Sequence, residues 1–134
     1  MLSKASFATL TPVKNMDRAV KYYTKTLGGK VKMRDTGDMK DMWASVMIGK
    51  EEFWLIHPPA DQGKKPDLAF STFVVDDIKS EVQDLKKRGV RFQRAEKSES
   101  TTKTEGPISY DQFGATAFFK DSEGNLLMLY QSMM

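Results

Sequence analysis

Apolar Ala5, Phe7, Ala8 and Leu10, interspersed with Ser6, Thr9 and Thr11, give residues 5–11 the character of a short strand. Pro12, Val13 and Lys14 follow, and Asn15 supplies a side-chain oxygen suited to a helix N-cap. Met16, Ala19, Val20, Tyr23 and Leu27 then recur at intervals of three and four, which gathers them on one helical face, while Lys21, Thr24 and Lys25 point away. Gly28 and Gly29 supply the backbone freedom a C-cap needs, so the helix ends there. Strands follow over residues 30–35, 42–48 and 52–57, the last two joined as a hairpin through Gly49, Lys50 and Glu51. The order is βαβββ.

Residues 58–67 hold Pro58, Pro59, Gly63 and Pro66 and read as a linker, unable to continue either helix or central strand. The pattern then restarts. Residues 68–75 are a strongly apolar strand, and Asp76 or Asp77 caps a helix with Ile78, Val82 and Leu85 on its inner face. Gly89 ends that helix, and residues 90–95 form a strand. Residues 96–107 read as a polar loop, before a hairpin of residues 112–120 and 125–131 closed by Asp121, Ser122, Glu123 and Gly124. Short segments echo as well: Phe7-Ala8-Thr9 recurs as Phe70-Ser71-Thr72, and Ala44-Ser45-Val46 as Ala115-Thr116-Ala117. A tandem repeat is the economical reading, with module one at about residues 5–57 and module two at about 68–131. Each module alone has a marginal core, so a single domain over 1–134 is expected, with helices outside and the other sheet faces lining a trough.

Composition narrows the chemistry. With no cysteine and a single histidine, His57, the 134 residues offer no disulfide, iron–sulfur cluster or thiolate zinc site, and any metal would depend on carboxylates. The net charge of +3 is carried by residues 1–67, where 12 Lys and Arg face 8 Asp and Glu. The longest basic run, Lys86-Lys87-Arg88, falls at a helix C-terminus, where cations oppose the helix dipole. Nucleic acid is therefore not an expected partner, and the mild positive field favours neutral or anionic small molecules. No apolar run is long enough to span a bilayer and no export signal is legible, so no membrane partner and a cytoplasmic setting are expected.

Two stretches carry a family resemblance: Val13-Lys14-Asn15-Met16-Asp17-Arg18-Ala19-Val20-Lys21-Tyr22-Tyr23 with Leu27-Gly28, and Ala117-Phe118-Phe119-Lys120-Asp121-Ser122-Glu123-Gly124-Asn125-Leu126-Leu127-Met128-Leu129-Tyr130. Through them the chain resembles the vicinal oxygen chelate superfamily, the fold of glyoxalase I, extradiol dioxygenases and bleomycin-resistance proteins. The resemblance implies an α+β fold in which tandem βαβββ modules form a cupped mixed-sheet barrel. It also implies a homodimer. Ser122 departs from the family's turn, which usually has proline there.

In metal-dependent members of that superfamily, His, Glu or Gln ligands project into the trough from the first and last strands of each module. The matching positions are Ala8, Phe70, Met128 and either Trp54 or Leu55. None suits a hard cation, so the resemblance implies a metal-free branch with no cofactor. If Ala8, Phe70 and Met128 face the trough, strand alternation brings Leu10, Thr72, Val74, Leu126 and Tyr130 to the same side. Tyr110, Trp43 and Phe113 are placed at the mouth. The expected binding residues are Ala8, Trp54, His57, Phe70, Thr72, Met128 and Tyr130, around a small hydrophobic or aromatic ligand. The alternative is a lyase or isomerase of the glyoxalase type, using His57 as a base or a divalent metal at other ligands. Strand parity puts His57 with Glu51 and turns Glu52 to the opposite face, and Glu51 and Glu52 read as solvated hairpin charges.

Overall fold

A computed structural model describes residues 2–4, 8–34, 42–57 and 71–133. It divides into two units, Met1–Pro66 and Asp67–Met134. In the first, strand β1 (Ala8–Pro12) leads into helix α1 (Met16–Lys21), followed by β2 (Lys30–Arg34), β3 (Trp43–Ile48) and β4 (Glu51–Ile56). The Asn15 side chain accepts from the Arg18 backbone N–H at 3.0 Å, the capping bond its position predicts. After Lys21 the helix widens over Tyr22–Thr26 into a π-type turn, in which the Leu27 N–H donates to the Tyr22 carbonyl at 3.0 Å. The turn carries Tyr23 fully into the core, against Phe53 at a ring separation of 5.6 Å. Gly28 ends the segment at φ 83°, a conformation that favours glycine.

The first sheet has the order β1-β4-β3-β2, with β1 parallel to β4 and the other pairs antiparallel. The helix crossover places β1 beyond β4, since a parallel pair cannot be joined by a tight turn. Helix α1 packs against β3 and β4, burying Met16, Ala19 and Tyr23 against Ala44, Val46, Phe53 and Leu55.

The second unit repeats the scheme. Strand β5 (Ser71–Val74) precedes helix α2 (Ile78–Lys87), and β6 (Lys103–Glu105), β7 (Ile108–Tyr110), β8 (Gly114–Lys120) and β9 (Leu126–Ser132) complete a sheet of order β5-β9-β8-β7-β6. Asp77 is the cap, accepting from the Ser80 N–H at 3.2 Å. Ile78, Val82 and Leu85 pack on Ala115, Ala117, Phe119, Leu127 and Leu129, so the Ala-x-Val and Ala-x-Ala echo marks the covered face of each central strand.

Three expectations are corrected. The cupped barrel is not formed: the sheets are open, with edge strands β1 and β2 in one and β5 and β6 in the other. Closing a sheet on itself requires its two edge strands to pair at matched tilt and stagger, and in neither sheet, among the described residues, are the two edges hydrogen-bonded to each other. The strand expected over residues 90–95 is reduced to one bridge, Phe92 with Phe119, beside a 2.8 Å bond from the Gln93 N–H to the Phe118 carbonyl. The rest of that edge of β8 is occupied by β7, which pairs Ser109 with Thr116 and Tyr110 with Ala115. The supposed loop over 96–107 therefore contains β6, whose Lys103–Glu105 residues are all exposed and carry no apolar alternation. The linker at 58–67 lies outside the described residues. Among the described residues, no helix is long and apolar enough to cross a membrane.

Candidate functional site

The register of the first sheet separates its residues into two faces. Thr11, Ala44, Val46, Phe53 and Leu55 lie on the side covered by α1, and all are buried. Strand alternation puts Ala8, Leu10, Ser45, Glu52, Trp54 and Ile56 on the other. This settles the choice between Trp54 and Leu55: Leu55 is fully buried under the helix, and Trp54 stands on the open face, 48% exposed.

A concavity of about 560 Å³ lies on that open face, lined by Met33, Met42, Trp43, Ser45, Glu52, Trp54, Ile56 and His57. Its shape depends on a bulge in β2. Val31 pairs with Val46 and Met33 with Ser45, so Lys32 is an extra residue between consecutive partners, and the alternation shifts there. Met33 consequently lies opposite Ser45 and enters the concavity, while the Lys32 ammonium comes within 3.2 Å of Glu52 Oε1. The Ser45 hydroxyl donates to the same oxygen at 2.6 Å. These two contacts, Ser45 first, hold the Glu52 carboxyl below the usual glutamate range; the Trp54 indole adds a smaller effect and partial burial opposes them.

That direction sets a pH dependence. A carboxylate whose affinity for protons is lowered by folding stabilises the fold above its ordinary value of 4.5, and the contribution is lost as pH falls below it. The thermal midpoint of the native protein should exceed that of Glu52→Gln at neutral pH, and the gap should close on acidification below pH 4.5. A gap independent of pH would show that the ion pair is inert.

Of the residues expected to bind, the concavity unites Trp54 and His57. Ala8 shares their sheet face, opposite Glu52, without lining the hollow. Thr72, Met128 and Tyr130 lie on one face of the second sheet, where Thr72 pairs with Met128 and Val74 with Tyr130. Phe70 falls outside the described residues. Among the residues placed at the mouth, Trp43 lines the concavity. Tyr110 is instead buried on the helix-covered face of the second sheet; its hydroxyl donates to Glu105 at 3.3 Å, and burial pushes its phenol up. Phe113 is exposed, its carbonyl accepting from the Tyr130 hydroxyl at 3.4 Å.

Strand parity pairs His57 with Glu51 and sets Glu52 on the other face. His57 lies one residue past the register of β4, its N–H donating to the Met42 carbonyl at 3.0 Å, and it lines the concavity together with Glu52. Sequence reasoning missed Glu52, Ser45, Met33 and Ile56 as lining residues. Glu52 and Ile56 were readable, because they flank Trp54 at a spacing of two; Met33 was concealed by the bulge.

The family's ligand positions do not fit a divalent metal. At Ala8, Trp54 and Met128 the chain offers a methyl, an indole and a thioether, and a hard cation needs oxygen or imidazole donors. Among the described residues, no group of three or more His, Asp and Glu side chains is gathered to hold one.

A sequence-family comparison matches residues 7–129 to the Glyoxalase/Bleomycin resistance protein/Dioxygenase superfamily. A search of the curated proteins finds no match. Solved structures share the fold. The glyoxalase family protein from Enterococcus faecalis is 20% identical with a TM-score of 0.71, covering 97% of this chain and 99% of its own. TnmS3, an antibiotic binding protein from Streptomyces sp. CB03234, is 21% identical with a TM-score of 0.66, covering 96% and 98%. The fosfomycin resistance protein FosX from Listeria monocytogenes is 10% identical with a TM-score of 0.70, covering 98% and 93%.

Proposed function

This chain belongs to the glyoxalase/bleomycin resistance protein/dioxygenase superfamily, and from that premise we propose that it binds a small apolar or aromatic molecule, without metal, on the open face of its first sheet. The observation that carries this reading is the concavity itself, where two indoles, two thioethers and Ile56 surround the few polar groups of Ser45, Glu52 and His57. Burial and stacking supply affinity in such a site, and sparse polar groups orient the guest. Methionines at 33 and 42 adapt to varied outlines. Donors unsuited to a hard cation at Ala8, Trp54 and Met128 support the metal-free part of the reading. That a protein of this fold is an antibiotic binding protein is consistent with it.

Calorimetric titration with 2-naphthylmethanol tests the proposal. Saturable binding is expected, unchanged by chelator, and Trp54→Ala should weaken it about tenfold or more, as truncating an aromatic anchor commonly does. Absence of saturable binding, or restoration of binding by added metal, overturns it.

A second reading, a lyase or isomerase of the glyoxalase type, draws on His57, which lines the same concavity as Glu52. Its mark is turnover of a substrate lost in His57→Ala while the thermal midpoint is retained.

A further inference from the structure

The polar floor of the concavity is biased toward one kind of ligand group. The Ser45 proton is committed to Glu52 Oε1 at 2.6 Å, which leaves the Ser45 oxygen as an acceptor. A carboxylate has about four acceptor directions, more than Ser45 and Lys32 use on Oε1. Around this floor stand the indoles of Trp43 and Trp54, whose π faces attract positive charge. A ligand carboxylate would meet Glu52 as a like charge inside a largely apolar hollow, where repulsion is less screened than in water.

Resting on the reading that the concavity binds a small molecule, we propose that its preferred ligands are hydrophobic amines, cationic near neutral pH. Their nitrogen donates to the Glu52 carboxylate while an aromatic or branched aliphatic skeleton packs on Trp43 and Trp54. Lys32 is the internal competitor. Its side chain is 52% exposed and sits on the bulge of an edge strand, so its ammonium swings into water at little cost when a ligand ammonium takes its place. The chain's net charge of +3 favours neutral or anionic guests only at long range, where salt screens it. At contact, the nearest carboxylate decides.

Three probes with one ring system separate the possibilities: 2-naphthylmethylamine, 2-naphthylmethanol and 2-naphthoate, titrated calorimetrically into the full chain at neutral pH. The amine is expected to bind about tenfold more tightly than the alcohol, and the carboxylate least well, a charge-assisted hydrogen bond being the stronger kind. Glu52→Gln should bring amine and alcohol to within about threefold of each other, and Lys32→Ala, which removes the competitor, should strengthen amine binding. The second effect is one that a merely structural role for the ion pair does not produce. Equal binding of amine and alcohol, or tightest binding of the carboxylate, overturns this inference and leaves the proposed function standing. Binding of none of the three overturns both.

Discussion

Tyr23→Ala should destabilise the first unit by about 3–5 kcal/mol, the range for deleting a buried aromatic ring from a packed core. Tyr23 is wholly buried and lies 5.6 Å from Phe53, ring to ring. Phe53 lies between Glu52 and Trp54 in β4, so the packing beneath the sheet holds the residues that line the concavity above it. Deleting the ring opens a void where the helix meets the sheet, and the loss grows with the volume that fails to collapse. The chain's two tryptophans, Trp43 and Trp54, both fall in the first unit, so indole fluorescence during urea unfolding reads this change directly. Tyr22→Ala, at a half-buried neighbour, serves as the control and should cost less. A loss near 1 kcal/mol for Tyr23→Ala would mean that the π-type turn does not clamp the sheet.

The second unit has a polar counterpart to that core. Asp121, 6% exposed, accepts through Oδ1 from the backbone N–H groups of Glu123 and Asn125, each at 2.8 Å. Its Oδ2 accepts from the Asn125 amide, also at 2.8 Å. The Asp121 N–H donates in turn to the Asn125 carbonyl at 2.9 Å, and Gly124 completes the turn at φ 82°. Asp121→Ala strips the acceptor from two buried backbone donors at once. A buried donor left unsatisfied costs about 1–3 kcal/mol, so the variant should lose about 3 kcal/mol or more. Asp121→Asn, which keeps one oxygen, should lose less. Far-UV circular dichroism during chemical unfolding is the appropriate readout, since no tryptophan lies in this unit. Equal losses for Ala and Asn would show that the turn needs the charge more than the acceptor.

Much of this architecture is local, and local features are legible in a sequence. The Asn15 and Asp77 caps, the Gly49 hairpin and the period of α2 each depend on a few neighbouring residues. So does the tandem repeat, visible through Ala44-Ser45-Val46 and Ala115-Thr116-Ala117. Features that depend on distant pairing were not legible. Whether a sheet closes is settled by its edges, and nothing near β1 or β2 reports that, among the described residues, each pairs with a single strand. Residues 90–95 carry a strand's alternation, yet β7 takes half of the β8 edge they would pair with.

The site shows the same division. Trp54 and His57 stand out by residue type. Glu52 looks like an ordinary hairpin charge until Ser45, seven residues earlier, is brought opposite Trp54 by the antiparallel register. Lys32 and Met33 reach the same face through a bulge that alternation does not encode. The net charge of the chain is likewise no guide to the charge inside a hollow of this size, where one carboxylate outweighs a distant surplus.

The central claim, that the open face of the first sheet accepts an apolar or aromatic guest without metal, is tested most directly by nuclear magnetic resonance. The two indole N–H resonances, from Trp43 and Trp54, are followed while 2-naphthylmethanol is added in the presence of chelator. Both resonances should move and saturate together at one ligand per chain. Two unmoved indole signals, or movement only after a stoichiometric divalent metal replaces the chelator, would contradict the account.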